Sequence, residues 1–220
     1  MAAKTGKVNS RRRTGARPAF ALQEEPAGGA NSVRIVAGQW RSRRIRFPPA
    51  VALRPTPDRV RETLFNWLQG MIGGAHCLDL FAGSGVLGLE ALSRGAAEVV
   101  FVEHDRAIAA ALEANLALLD RPAGGPAARG RVLNADAFEF LAGAPRPFDL
   151  VFLDPPYAQG RLAELCRLLE ATGWLAARAF VYVESAARGG GPALPPSWSA
   201  WRQLRAGGVS ATLARRAEST

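Results

Sequence analysis

Asp154-Pro155-Pro156-Tyr157 sets a carboxylate, two rigid residues and an aromatic ring directly after the apolar run Leu150 to Leu153. Each proline fixes φ and removes a backbone N–H, which leaves the carbonyl oxygens of the turn available as acceptors. An amine that donates one N–H to the Asp154 carboxylate and another to the Pro155 carbonyl has its nitrogen lone pair aimed away from both, at an electrophile such as a methyl group. Tyr157 adds a flat face on which a base can stack, whether flipped out of a duplex or presented in a loop. An exocyclic amine conjugated to a ring is a poor nucleophile. The chemistry such a run suits is therefore alkylation by alignment and by stabilisation of developing positive charge.

A second constellation lies upstream in Asp79-Leu80-Phe81-Ala82-Gly83-Ser84-Gly85-Val86-Leu87-Gly88. Gly83, Gly85 and Gly88 spell GxGxxG, and Glu103 follows Gly83 by 20 residues, where an acid holds a ribose in dinucleotide-binding domains. A nicotinamide-dependent oxidoreductase is thus an alternative reading, one that leaves the Asp154 run without a task. The glycines do not decide, because any ligand that approaches the backbone at a tight turn requires them. Asp79 does discriminate: a carboxylate just before the turn opposes pyrophosphate and suits a cation such as the ammonium of S-adenosylmethionine. Glu103 can accept from both ribose hydroxyls. Asp136 can accept from the adenine amine, with the Ala137 N–H donating to the ring. Each acid alone is an ordinary N-cap or loop residue; three at successive strand ends form a pattern.

The elements that must position these residues alternate from residue 76 onward. CLDLF, EVVFVE, RVLNAD, FDLVFLD and AFVYVES read as strands; VLGLEALSRG, DRAIAAALEANLALL and residues 160 to 171 read as helices. Repeated βα units imply an α/β fold: a parallel sheet with helices on both faces and ligands beyond the carboxyl ends of its strands. RGGGPALPPS reads as a loop and WRQLRAGGVSATLARR as a closing strand pair. Cys77 and Cys166 stand far apart, outside any CxxC or Cys/His cluster, and read as buried small hydrophobes; neither a disulfide nor a metal site is expected.

Charge is uneven along the 220 residues. Residues 1–30 carry a net +4, residues 31–61 a net +7 and the remainder a net −2. A cationic front on a near-neutral body is the footprint of polyanion binding. Residues 1–30 are rich in Gly, Ala and Pro with few core formers, and read as a disordered basic tail. VRIVAGQWRSRRIRFP alternates apolar and basic positions and predicts a hairpin around Gly38, with Arg41, Arg43 and Arg46 on its outer side. In RPTPDRVRETLFNWL, Thr56 is the expected N-cap and Pro57 the first helical residue. Val60, Leu64, Trp67 and Leu68 then share one stripe, with Arg59, Glu62 and Asn66 roughly opposite. The expected organisation is a tail over 1–30, a hairpin-plus-helix extension over 31–70, and a ligand-binding domain over 71–220. No apolar run approaches the ~20 residues of a membrane helix, and no signal peptide is evident, so a soluble cytoplasmic protein is expected.

LDLFAGSGVLGLEALSRGA, VVFVEHD, NADAF and VFLDPPY, preceded by RIVAGQWRSRRI and LRPTPDRVRETLFNWL, resemble the bacterial 16S rRNA (guanine-966 N2)-methyltransferase family over roughly residues 33 to 213. The acidic and DPPY motifs belong to amino-methylating enzymes at large; the RPTPDRVRETLFNWL segment carries the specific match. The resemblance implies a Rossmann-like class I S-adenosylmethionine methyltransferase fold, seven-stranded with the last strand antiparallel. It implies methyl transfer from S-adenosylmethionine to one guanine of 16S rRNA in an assembled or assembling small subunit. It places Asp79, Phe81, Gly83, Gly85, Glu103, Asp136 and Ala137 at the cofactor, and Asp154, Pro155, Pro156 and Tyr157 at the reacting amine. Arg34, Arg41, Arg43, Arg54, Arg59 and Arg61 become candidates for RNA contact. A monomer is expected. Guanine N2 and adenine N6 are both exocyclic amines, and the choice between them rests on the resemblance. Two rivals remain beside the oxidoreductase: another amino-methyltransferase, acting on DNA or RNA adenine or on a glutamine side chain, and a noncatalytic RNA-binding module.

Overall fold

The computed structural model describes residues 1, 31–48, 56–119, 129–155, 160–187, 193–206 and 208–217. The tail over 2–30, Arg54, Pro156 and Tyr157 lie outside them. Two short antiparallel strands, β1 (Asn31–Arg34) and β2 (Arg44–Phe47), pair Asn31 with Phe47 and Arg34 with Arg44, forming the expected hairpin. After α1 (Asp58–Trp67), the chain alternates β3 (His76–Asp79), α2 (Val86–Ser93), β4 (Glu98–Glu103), α3 (Arg106–Leu119), β5 (Arg129–Asn134), α4 (Ala137–Leu141), β6 (Phe148–Leu153) and α5 (Leu162–Ala171). It closes with β7 (Leu175–Ala186), β8 (Trp198–Ala206) and β9 (Val209–Arg216).

The seven later strands form one sheet in the order β5-β4-β3-β6-β7-β9-β8. β5 through β7 are parallel, and β9 runs antiparallel between β7 and β8. β4 and β6 are apolar on both faces (Val99 to Val102, Leu150 to Leu153) because helices cover both. α1, α2 and α3 cover one face, where Phe65, Leu89 and Leu112 pack with Cys77, Phe101 and Phe152. α4 and α5 cover the other, where Leu141 and Leu165 pack with Leu78, Val100 and Val151. Both cysteines are fully buried and free. The chain passes from β3 outward to β4 and β5 and then returns to the opposite side of β3 with β6. The crevice beyond Asp79 and Leu153 is therefore the topological switch point, where this class of sheet binds ligands.

α2 is buried on every side, since the hairpin covers its outer surface. Its glycines permit that closeness. Gly85 caps the helix at φ 74°, and a Cβ on Gly88 would lie 2.2 Å from the Phe101 ring, so the helix can seat directly on β4 only with glycine there. The hairpin loop is fastened to α2 by polar groups. The N–H groups of Val36 and Ala37 donate to Glu90 Oε2 and Oε1 at 2.8 and 2.9 Å, and that of Trp40 to Ser93 Oγ at 3.0 Å. On its second side the hairpin meets α3, where the buried Asn115 exchanges hydrogen bonds with the backbone of Arg46. One hydrophobic cluster runs from Ile35, Trp40 and Ile45 through Val60 and Leu64 into the sheet.

Two local expectations differ from the structure. Pro57, not Thr56, occupies the N-cap position of α1, and no side chain caps that helix. The Thr56 hydroxyl turns instead to Glu184 Oε2 at 3.4 Å. α4 was not expected at all; five residues are too few to display a helical period, and only its N-cap, Asp136, announces it.

Candidate active site

Four acids gather at the carboxyl side of four adjacent strands. In register, Asp79 on β3 pairs with Phe101 on β4 and Phe152 on β6, and Phe152 pairs with Tyr182 on β7. Glu103, Asp154 and Glu184 each lie two residues past those partners, so all three project from the same face, one pleat above Asp79. That face is the one α1 and α2 cover, and the acids line its open end.

Asp79, deepest of the four, is 2% exposed and accepts the N–H of Gly88 at 3.1 Å. Burial pushes its carboxyl up to about 7; the Gly88 hydrogen bond partly opposes this and the Glu103 charge adds to it. A buried acid that gives up its proton near neutrality gains most from a cationic ligand, which an S-adenosylmethionine ammonium supplies. Without a ligand, the raised value favours folding when Asp79 is protonated, and that contribution is lost as pH rises through about 7. With a cationic ligand the sign reverses, since the cation requires the carboxylate. Affinity for S-adenosylmethionine is thus expected to fall by about tenfold per pH unit below Asp79's titration and to level off above it. Calorimetric titrations between pH 5.5 and 8.5 check this, and a pH-independent affinity would remove Asp79 from the ammonium site.

Glu103 braces the glycine turn. Its Oε2 accepts the Gly83 N–H at 2.8 Å and its Oε1 the Asp105 N–H at 2.9 Å, with exposed His104 3.1 Å away. A carboxylate has about four acceptor positions, so two N–H bonds leave capacity for ribose hydroxyls. Phe81 is half-buried against the sheet core. Asp136 is exposed and caps α4 by accepting from the N–H groups of Phe138 and Glu139 at 2.8 and 3.3 Å, while Ala137 begins that helix. These residues offer acceptors for a cation, a diol and an amine around a turn that admits close backbone approach, a set of groups that fits S-adenosylmethionine.

Asp154 is half-buried one residue beyond β6, with Pro155 buried behind it. Burial raises its carboxyl well above the ordinary carboxylate range, and the charges of Glu184 and Asp79 raise it further. Glu184 was missed in the sequence, although the signal was the one that marked Glu103 and Asp154: an acid closing an apolar run, here in AFVYVES.

The arginines divide into two sets. Arg59 and Arg41 are exposed, and Arg34 is exposed while pairing with Asp58 at 3.5 Å. Arg43, also exposed, donates to the carbonyls of Leu118 and Leu119 at 2.8 and 3.4 Å and so caps the last turn of α3. Arg61 is fully buried, which corrects its assignment to an RNA-facing surface. It lies on the inner side of α1 with Leu64, Phe65 and Leu68, donates to the Thr56 carbonyl at 3.1 Å and pairs with Asp58 and with Glu90, 3.3 Å away. A guanidinium enclosed by two carboxylates has no route to phosphate.

A seven-stranded sheet of this order, with acids at the switch point and a glycine turn before α2, defines a Rossmann-like class I methyltransferase fold. The family model described as Conserved hypothetical protein 95 matches residues 33–215. Ribosomal RNA small subunit methyltransferase D of Escherichia coli strain K12 is 50% identical over 188 residues, spanning 86% of this chain and 92% of that protein. The Haemophilus influenzae protein of the same name is 44% identical over 155 residues, 70% of this chain and 78% of its own. The solved structure of the putative methyltransferase yhhF from Escherichia coli is similar at a TM-score of 0.77 and 47% identity, covering 86% of this chain and 100% of that one. The chain belongs to this family of bacterial small-subunit ribosomal RNA methyltransferases.

Proposed function

We propose that the protein transfers a methyl group from S-adenosylmethionine to the exocyclic N2 amine of one guanine in 16S rRNA, within an assembled or assembling small ribosomal subunit. The observation that carries this reading is the adjacency, across the switch point, of Asp79 and Asp154: a carboxylate suited to a cation beside a carboxylate suited to an amine. The names of the family relatives supply the rRNA. S-adenosylmethionine supplies an electrophilic methyl on a sulfonium. Asp79 and the turn from Gly83 to Gly85 hold its amino-acid end, Glu103 its ribose, and Asp136 with Ala137 its adenine. Asp154 accepts one amine N–H and the Pro155 carbonyl the other, so the nitrogen lone pair points across the crevice; Tyr157 is the stacking partner of the base. The alignment supplies most of the rate, since it removes the orientational cost of bringing a weak nucleophile to its electrophile.

The unit over 31–70 then presents the RNA. Arg34, Arg41 and Arg59 are its phosphate contacts, joined by Arg54, while Arg43 and Arg61 hold the unit in shape. The tail over 1–30 adds nonspecific, salt-sensitive affinity, and the enzyme acts as a monomer in the cytoplasm. Neutralising Arg41 and Arg59 together should weaken binding to the small subunit and lower the slope of log affinity against log salt by about two. Filter-binding isotherms at several salt concentrations read this directly, and an unchanged slope would show both side chains to be solvated surface. The reading as a whole is tested with labelled methyl donor offered to small subunits that lack the modification, to naked rRNA and to DNA. Incorporation into subunits supports it. Incorporation into DNA alone would redirect it to adenine.

A further inference from the structure

Beyond Asp154, the catalytic end of the sheet holds a second carboxylate on the neighbouring strand. Leu153 pairs with Val183, so Asp154 and Glu184 are lateral neighbours on adjacent parallel strands, a separation of roughly 5 Å between backbones, with side chains on one face. Glu184 is 3% exposed. Its Oε2 accepts from the Tyr182 hydroxyl at 2.7 Å and from the Thr56 hydroxyl at 3.4 Å. Burying a carboxylate beside another is costly for stability alone, since an apolar residue would fill that position of β7 at less expense. The two donated hydrogen bonds hold the Glu184 carboxyl group in place beside Asp154.

We propose that Glu184 is a positioning residue of methyl transfer: from β7 it holds a second negative charge against Asp154, so that Asp154, not solvent, receives the proton that the acceptor nitrogen gives up. This rests on the function proposed above. In the step, the nitrogen lone pair forms the N–C bond while the electron pair of the breaking S–C bond stays on sulfur, leaving a neutral thioether. The nitrogen, now cationic, returns to neutrality as the electron pair of one N–H bond reverts to it and the proton passes to an Asp154 oxygen, then to water. The like charge of Glu184 makes Asp154 more basic before transfer, and the arriving proton relieves the repulsion. The pair then carries one negative charge instead of two.

Several described residues face the pair. β3 contributes Asp79, β6 Asp154, β7 Tyr182, and the residue ahead of α1 Thr56; Ala211, opposite Glu184 on β9, brings no charge. Arg61 of α1 spends its guanidinium on the Thr56 carbonyl, Asp58 and Glu90. The elevated carboxyl of Asp154, which Glu184 raises more than Asp79 does, agrees with the arrangement.

The first test is the pH profile of single-turnover methyl transfer. Glu184→Gln keeps the side-chain shape and an acceptor for Tyr182 but removes the charge. The acidic limb should move down by about one pH unit or more, with a lower rate on the alkaline plateau, because Asp154 becomes easier to deprotonate and a weaker base. Glu184→Asp, which restores the charge, should return the limb towards the parent value. A limb that stays in place in Glu184→Gln overturns the proposal, because a merely structural role changes the rate without moving the limb. A second arm needs neither Glu184 variants nor a methyl acceptor. In carboxyl-labelled protein followed by NMR, Asp154→Asn should lower the titration midpoint of Glu184, and an unmoved midpoint likewise overturns the coupling. Failure of the rRNA reading would leave this second arm intact, so the two are distinguishable.

Discussion

Replacing Asp154 with alanine is expected to lower methyl transfer by about two to four orders of magnitude while leaving affinity for S-adenosylmethionine within a few-fold of the parent. The loss follows from position. Asp154 is the carboxylate at the switch point that stands between the cation-suited Asp79 and the buried Glu184, and in the proposed arrangement an amine deprived of it keeps a single acceptor, the Pro155 carbonyl. Stability should move the other way. The carboxyl is held well above its ordinary range by burial and by two like charges. Its folded value lies above its unfolded one, so ionising it costs stability as pH rises, and at pH 8 the alanine variant should unfold at an equal or higher denaturant concentration than the parent. Parallel turnover and urea-unfolding measurements on one preparation check both halves. An inactive variant that is also much less stable would place Asp154 among structural residues.

Arg61→Ala is expected to act in the opposite sense, through the fold. The guanidinium and the Glu90 carboxylate are both fully buried, and Glu90 also receives two N–H groups of the hairpin loop and the side chain of Arg94. Removing Arg61 leaves Glu90 with Arg94 alone as countercharge and the Thr56 carbonyl without its donor. Breaking a buried pair from one side costs about 3–5 kcal/mol, a large share of the 5–15 kcal/mol typical of a domain. Arg61→Lys should recover little of it, because a single ammonium cannot span Thr56, Asp58 and Glu90 as the planar fork does. Chemical denaturation measures the loss. RNA affinity measured with the folded fraction should change less than on neutralising Arg41 and Arg59, and a stable Arg61→Ala protein with weakened RNA binding would return Arg61 to the interface.

The contrast between these arginines separates what local sequence encodes from what only the tertiary fold decides. The strands, the helices over 86–95 and 105–119 and the acids at their ends were legible because burial on both faces writes continuous apolar runs, and a strand end is where such a run meets a charge. Asp79, Glu103 and Asp154 fell out of that pattern, and Glu184 carries the same signature. Arg61 was misread for a different reason. Its helix has two apolar registers, Val60 with Leu64 and Leu68, and Phe65 with Leu68, and a charged residue between them is assigned outward unless its partner is known. That partner, Glu90, comes from another helix 29 residues away in the chain. Long-range ion pairing leaves no local period, and the same holds for Arg43, whose acceptors are carbonyls at the end of α3. Thr56 is a third case: it had the right chemistry for a cap, and the tertiary acceptor on Glu184 took its hydroxyl instead.

The most direct measurement is the identity of the methylated nucleoside. Small subunits lacking the modification are incubated with the protein and labelled S-adenosylmethionine, the rRNA is digested, and the labelled nucleoside is identified by chromatography and mass. N2-methylguanosine, in a yield approaching one per 16S rRNA and absent with Asp154→Ala, is the predicted result. Label in N6-methyladenosine, or in protein with none in RNA, would contradict guanine N2 as the acceptor.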